Sequence, residues 1–128
     1  MKIADTTFLI DLLRGKEEVL SIMKGAKQLY TTQINMFELL RGLFLRNISS
    51  AKMQEVIEVM AELRVFPLED SSVVKSAHIS STLIKEGSTI PDADCLIAGI
   101  ALVNGVKTII TKDSEHFGRI QDIQVESY

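Results

Sequence analysis

A chain of 128 residues, 46% hydrophobic and 24% charged, has the size and balance of one globular domain spanning residues 1–128. A domain of this length buries roughly two thirds of the surface its unfolded chain exposes, so folding requires no disulfide or structural metal. The lone Cys95 cannot pair within the chain, which fits a reducing compartment. The net charge of -3 excludes a protein that lives on nonspecific nucleic-acid affinity, so any nucleic-acid role needs a local device such as a metal ion.

Met1 to Ala4 lead directly into Asp5 without the basic and apolar stretches of a signal peptide. The longest apolar run, residues 95–103, is far short of the ~18 residues that suggest a membrane span. A soluble, cytoplasmic protein with no membrane partner is expected.

In chain order, Lys2-Ile3-Ala4 reads as a short strand, and Asp5-Thr6-Thr7 supplies capping side chains for a helix carrying Phe8, Leu9, Leu12 and Leu13 and closed by Gly15. Residues 17–26 read as a second helix ending near Gly25, and residues 29–32 as a strand. The next helix runs from a cap at Thr32 or Gln33 to about Arg46. Its apolar residues Ile34, Phe37, Leu40, Leu43, Phe44 and Leu45 cover most of the circumference, which predicts a largely buried helix. Residues 51–63 form another helix, with Met53, Val56, Ile57 and Met60 at helical spacing, and residues 64–67 a brief strand. Residues 71–86 are helical up to Gly87, and Pro91 opens an apolar helix over 92–103 that Asn104-Gly105 stops. A β-branched strand at 107–111, a helical turn at 114–119 and a last strand at 123–127 complete the chain. Strands alternating with helices predict an α/β sandwich in which four or five short strands, mainly parallel, are covered on both faces. In such sheets ligands bind beyond the carboxyl ends of the strands.

Four acids fall at that edge. Asp5 follows the first strand and Asp113 lies just beyond Thr108-Ile109-Ile110, while Glu38 and Asp94 sit in the first turns of helices that begin there. At ~100° per residue Glu38 shares a face with Ile34, Arg41 and Leu45, and Asp94 shares one with Ala98 and Ala101, whose small side chains would let another backbone approach. Taken singly, each acid has an ordinary role: a helix cap at Asp5, a solvated helix residue at Glu38, a helix-dipole partner at Asp94 and a turn residue at Asp113. Together they repel, and a partly buried cluster must protonate, pair with bases or bind a cation. Nearby basic residues are few, and oxygen ligands suit a hard ion such as Mg²⁺ or Mn²⁺, whereas Zn²⁺ would call for the His and Cys this chain barely has. His116 reads as a packing or turn residue. Asp92 and Asp94 stand ~200° apart on their helix, so one of them faces away.

The segments I-A-D-T-T-F-L-I-D, T-T-Q-I-N-M-F-E-L-L-R-G, I-P-D-A-D-C-L-I-A-G-I-A and I-I-T-K-D-S-E-H-F, in that order over nearly the whole chain, resemble the motifs of PIN-domain nucleases, and among them the VapC-type toxins of toxin-antitoxin pairs. The resemblance implies a three-layer α/β/α sandwich, with Asp5, Glu38, Asp94 and Asp113 as catalytic acids holding Mg²⁺ or Mn²⁺, and it assigns the third acid to Asp94 rather than Asp92. It implies hydrolysis of RNA phosphodiester bonds, a homodimer and an inhibitory VapB-like antitoxin. Surplus apolar positions on 51–63 agree with a dimer. Thr7 and Thr111 are candidates to support the ligands, or else serve capping and strand propensity. Arg41 and Lys112 are candidates for RNA phosphate, or else ordinary surface charges. Two other classes stay open: a noncatalytic metal- or RNA-binding module of the same fold, and a receiver-like phosphoacceptor. The latter fits poorly because Asp5 has no acidic neighbour and Phe66-Pro67 ends the middle strand.

Overall fold

Ile3 and Ala4 are adjacent and both fully buried, as are Ile109 and Ile110, which requires each of these strands to be covered on both faces. The computed structural model describes residues 1–26 and 28–128 and meets that requirement. Strands β1 (Lys2–Ala4), β2 (Leu29–Thr32), β3 (Arg64–Phe66), β4 (Thr108–Ile110) and β5 (Gln124–Glu126) form one sheet in the order β3-β2-β1-β4-β5. Every pairing is parallel, with Ala4 opposite Ile110 and Thr32 opposite Phe66.

Among the described residues, seven helices cover the two faces. On one face, α1 (Thr6–Leu13), α2 (Glu17–Gly25), α3 (Gln33–Leu45) and α4 (Ser50–Ala61) pack Phe8, Leu9, Leu12, Val19, Leu39, Val56 and Met60 against Ala4 and Ile110. On the other, α5 (Asp70–Lys85), α6 (Asp92–Val103) and α7 (Ser114–Phe117) bring Ile79, Leu83, Ile97, Ile100 and Phe117 onto Ile3, Phe66 and Ile109. Successive strand residues thus feed opposite cores, as the two-residue period of a strand dictates. This is the expected α/β/α sandwich, with a wholly parallel sheet of five strands.

One expectation about packing changes. Helix α3 is not largely buried: only Asn35 and Leu39 are, while Phe37, Phe44 and Leu45 are 59%, 68% and 77% exposed. The helix packs Met36, Leu40 and Leu43 partly buried beside Leu39, and Ile34 against the opposite core, and presents Phe37, Phe44 and Leu45 outward. A close backbone approach on α6 is made at Gly99. A Cβ at Gly99 would lie 2.9 Å from the Ser72 carbonyl oxygen of α5, so only glycine lets these two helices meet as they do. The helix stop at Gly87 has φ +72°, a left-handed conformation that glycine adopts without cost. No described helix is long and apolar enough to cross a membrane.

Candidate metal centre

Because β1 and β4 are parallel neighbours in register, the residues that follow them, Asp5 and Thr111, must also be neighbours. The Asp5 amide donates to the Ile110 carbonyl at 3.0 Å, and the Thr111 hydroxyl donates to Asp5 Oδ2 at 2.7 Å. Asp5 stands at the N-cap of α1, yet its carboxylate makes no capping bond. It is committed to the sheet edge, where Asn35 Nδ2 donates to Oδ1 at 3.0 Å.

Asn35 is fully buried on α3, and its amide orientation follows from its partners. The Thr32 hydroxyl donates to Asn35 Oδ1 at 2.7 Å, which leaves Nδ2 to donate to Asp5 and, at 3.1 Å, to Thr6 Oγ1. With that lone pair used, the Thr6 hydroxyl donates to Glu38 Oε1 at 2.8 Å. Asn35 and Glu38, three residues apart, occupy one face of α3 and are joined to β1 and α1 by one chain of bonds. On the far side, Thr111 Oγ1 accepts from the Asp113 amide at 2.9 Å, and Thr7 Oγ1 accepts from the Lys112 amide at 3.1 Å. Thr7 and Thr111 lie 3.3 Å apart. The two threonines proposed as supports therefore hold the backbone of residues 111–113.

Asp94, in the first turn of α6, and Asp113, at the N-cap of α7, meet at His116. Its Nδ1 is 2.9 Å from Asp94 Oδ2 and 3.0 Å from Asp113 Oδ2. One ligand atom from each of these three residues lies within 4.8 Å of the others. Asp92 is exposed, whereas Asp94 is half-buried in the cluster. Burial pushes the Asp5 carboxyl above its usual range, opposed by the Thr111 and Asn35 bonds and reinforced by the charge of Glu38. Burial, and then the charge of Asp5, push Asp94 up to about 6 against the pull of His116. These couplings place all four acids in one electrostatic unit. Among the described residues no Lys or Arg forms an ion pair with any of them. Four carboxylates and one imidazole, with no competing cation among the described residues, fit a divalent ion bound through oxygen and nitrogen.

The other two candidates lie apart from the acids. Lys112 Nζ pairs with Asp11 Oδ2 at 2.8 Å, and the Arg41 guanidinium lies 5.1 Å from the centroid of the exposed Phe37 ring. Sequence reasoning passes over Asn35, gives Thr6 only a capping role and reads His116 as a packing or turn residue, whereas all three touch the acids. Asn35 and His116 each stand three residues from a named acid, which on a helix is the same face, and that spacing was the available signal. Beside Glu38, an apolar groove of about 460 Å³ runs between α1 and α3, lined by Ile10, Leu13, Leu39, Leu43 and Ile48 with Arg14 and Arg46 at its margins.

Comparison with known proteins agrees with this architecture. Residues 2–123 match the model of the PIN domain family. The fold is similar to DNA-bound VapBC from Salmonella typhimurium, with 21% identity, TM-score 0.88, and 98% of this chain and 96% of that one covered. It is similar to FitAcB from Neisseria gonorrhoeae, with 25% identity, TM-score 0.80, and the same coverage of 98% and 96%. A third is VapBC-5 from Mycobacterium tuberculosis, a member of the VapBC family of toxin-antitoxin systems, with 20% identity, TM-score 0.68 and coverage of 98% and 95%. No curated protein matches the sequence. With four acids on one edge of a parallel five-stranded sheet and a family match over nearly its full length, this chain belongs to the PIN domain family.

Proposed function

We propose that this protein is a divalent-cation-dependent ribonuclease that hydrolyses RNA phosphodiester bonds and acts as the toxin of a VapBC-type toxin-antitoxin pair. The observation that carries the reading is the electrostatic state of the cluster: Asp5 is buried, held by neutral donors and crowded by other acids, with no lysine or arginine paired to it among the described residues. Asp5, Asp94 and Asp113 would hold Mg²⁺ or Mn²⁺, with Glu38 as a further ligand or as the acceptor that orients the attacking water. A bound ion of this kind lowers the pKa of water and neutralises charge on phosphate oxygens. The chain's own contribution is placement: Thr111 and Asn35 fix both oxygens of Asp5, Thr6 fixes Glu38, and the bonds at residues 111–113 fix Asp113. The sheet order β3-β2-β1-β4-β5 also differs from the 2-1-3-4-5 order of receiver-like proteins, which argues against the phosphoacceptor alternative.

RNA cleavage measured with Mg²⁺ or Mn²⁺, and again in excess EDTA, tests the reading. Cleavage is expected to stop with chelator and with Asp94→Asn, and to survive Asp92→Asn. Undiminished cleavage in chelator by nuclease-free protein refutes it.

For the partner, a VapB-like antitoxin would lay an apolar segment in the groove between α1 and α3 and present a cation, best an Arg, to the acids. Arg binds carboxylates in a two-pronged geometry and takes the place of the ion's charge. Exposed Phe37, Phe44, Leu45 and Ile57 on α3 and α4 supply apolar surface for a homodimer. Inhibition should weaken as Mg²⁺ rises at fixed ionic strength, and light scattering should give about twice 14.2 kDa. An inhibition constant indifferent to Mg²⁺ would move the antitoxin away from the acids, and a mass of one chain would remove the dimer.

A further inference from the structure

His116 is the one side chain in the cluster that the four-acid reading leaves without a role. It stands on α7, a short turn whose Phe117 is fully buried in the core, so the ring is carried by a fixed support. Its Nδ1 lies 2.9 Å from an oxygen of Asp94 and 3.0 Å from an oxygen of Asp113. An octahedral ion with bonds of about 2.1 Å holds adjacent ligand atoms about 3.0 Å apart, because the separation is the bond length multiplied by √2. The nitrogen thus stands at the spacing of a neighbouring ligand from each of the two oxygens. One nitrogen faces both acids, as a ligand sharing a single cation with them would.

We propose that His116 supplies a nitrogen ligand, through Nδ1, to the cation held by Asp94 and Asp113, and that this nitrogen makes the centre favour Mn²⁺ over Mg²⁺. The inference rests on the cation-site reading above and sharpens it. Mg²⁺ gives up hydrating water reluctantly and is served by oxygen, whereas first-row transition ions accept imidazole readily. Removal of the ring therefore costs Mn²⁺ affinity more than Mg²⁺ affinity. An oxygen placed where Nδ1 stands, as in His116→Asn, restores binding without restoring the preference.

The experiment uses the full chain freed of metal and titrated with Mn²⁺ and with Mg²⁺ by calorimetry. Pulsed electron paramagnetic resonance of the Mn²⁺ form reads ¹⁴N coupling. The wild type is expected to show imidazole ¹⁴N modulation. His116→Ala should lose the modulation and about tenfold or more in Mn²⁺ affinity, with a change of less than about threefold for Mg²⁺. His116→Asn should bind both ions without modulation. The decisive spectrum is that of the wild type, so a poorly folded variant does not rescue or sink the idea. Mn²⁺ bound without ¹⁴N coupling, or equal losses for both ions in folded His116→Ala, overturns the ligand role and leaves the cation site standing. Failure of the wild type to bind Mn²⁺ at millimolar concentration overturns both.

Discussion

Asp5 and Asp11 lie six residues apart, both buried, at the two ends of one short stretch, and they meet opposite surroundings. Asp5 is held by a threonine hydroxyl and an asparagine amide, and burial leaves its carboxyl above the usual range. At Asp11 burial pushes the same way, but Lys112 at 2.8 Å, Lys16 at 3.0 Å and the Tyr128 hydroxyl at 2.9 Å outweigh it and hold the carboxyl well below that range. A buried carboxylate with its own cations is a finished structural joint. One given only neutral dipoles, beside other acids, has the surroundings that the proposed cation site requires. Burial alone does not separate a site from a brace; the partners do.

The largest test of that contrast exchanges one oxygen at each position. Asp5→Asn should lower cation-dependent RNA cleavage about 1,000-fold or more, equivalent to ~4 kcal/mol of barrier, while the protein stays folded. Asp11→Asn should leave cleavage within about threefold, because the Lys112 amide remains tied to Thr7. Its effect belongs in urea unfolding, as a loss of about 1–2 kcal/mol, modest because both lysines are nearly half exposed and water screens them. A folded Asp11→Asn protein without activity would erase the distinction.

Next in size is Asn35→Ala, which strips Asp5 Oδ1 and Thr6 of a buried donor. Unfolding free energy should fall by about 1–3 kcal/mol, and cleavage should fall roughly tenfold. Wild-type cleavage in this variant would mean that Asp5 and Glu38 need no link.

The smallest effect is one of pH. With its carboxyl raised from 3.8 to about 6, Asp94 binds a proton more tightly folded than unfolded, so its contribution to stability is full below pH 3.8 and lost as pH rises through 6. Asp11 has the opposite sign, with a contribution present above pH 3.8 and lost as pH falls below it. In chelator, Asp94→Asn should therefore gain on the wild type between pH 4.5 and 7.5, while the deficit of Asp11→Asn stays constant. Urea titrations at the two values decide this, and a constant Asp94→Asn difference would count against the raised carboxyl.

Much of this arrangement was legible in the sequence because it is local. Pairs such as Ile3-Ala4 and Ile109-Ile110 announce strands buried on both faces, and parallel topology sends Asp5 and Asp113 to the same edge. What escaped depends on contacts between distant segments. Nothing near Lys112 reveals Asp11 as its partner, and nothing near His116 reveals Asp94. Asn35 reads as one polar residue in an apolar helix until Asp5 and Thr6 are folded against it. Phe37, Phe44 and Leu45 were read as core because apolar character does not say which helix face will find a neighbour within the chain.

The pairing of β1 with β4 also sets a clock. The bond between Thr111 and Asp5 joins residues 106 apart, and at a synthesis rate of about 5–20 residues per second the second partner emerges roughly 5–20 s after the first. For most of that interval a nascent chain carries Asp5 and Glu38 but neither the strand that pairs with β1 on its other side nor the acid that follows it. Closure of so long a loop also comes late in folding. The acidic cluster is thus assembled late in the making of the molecule.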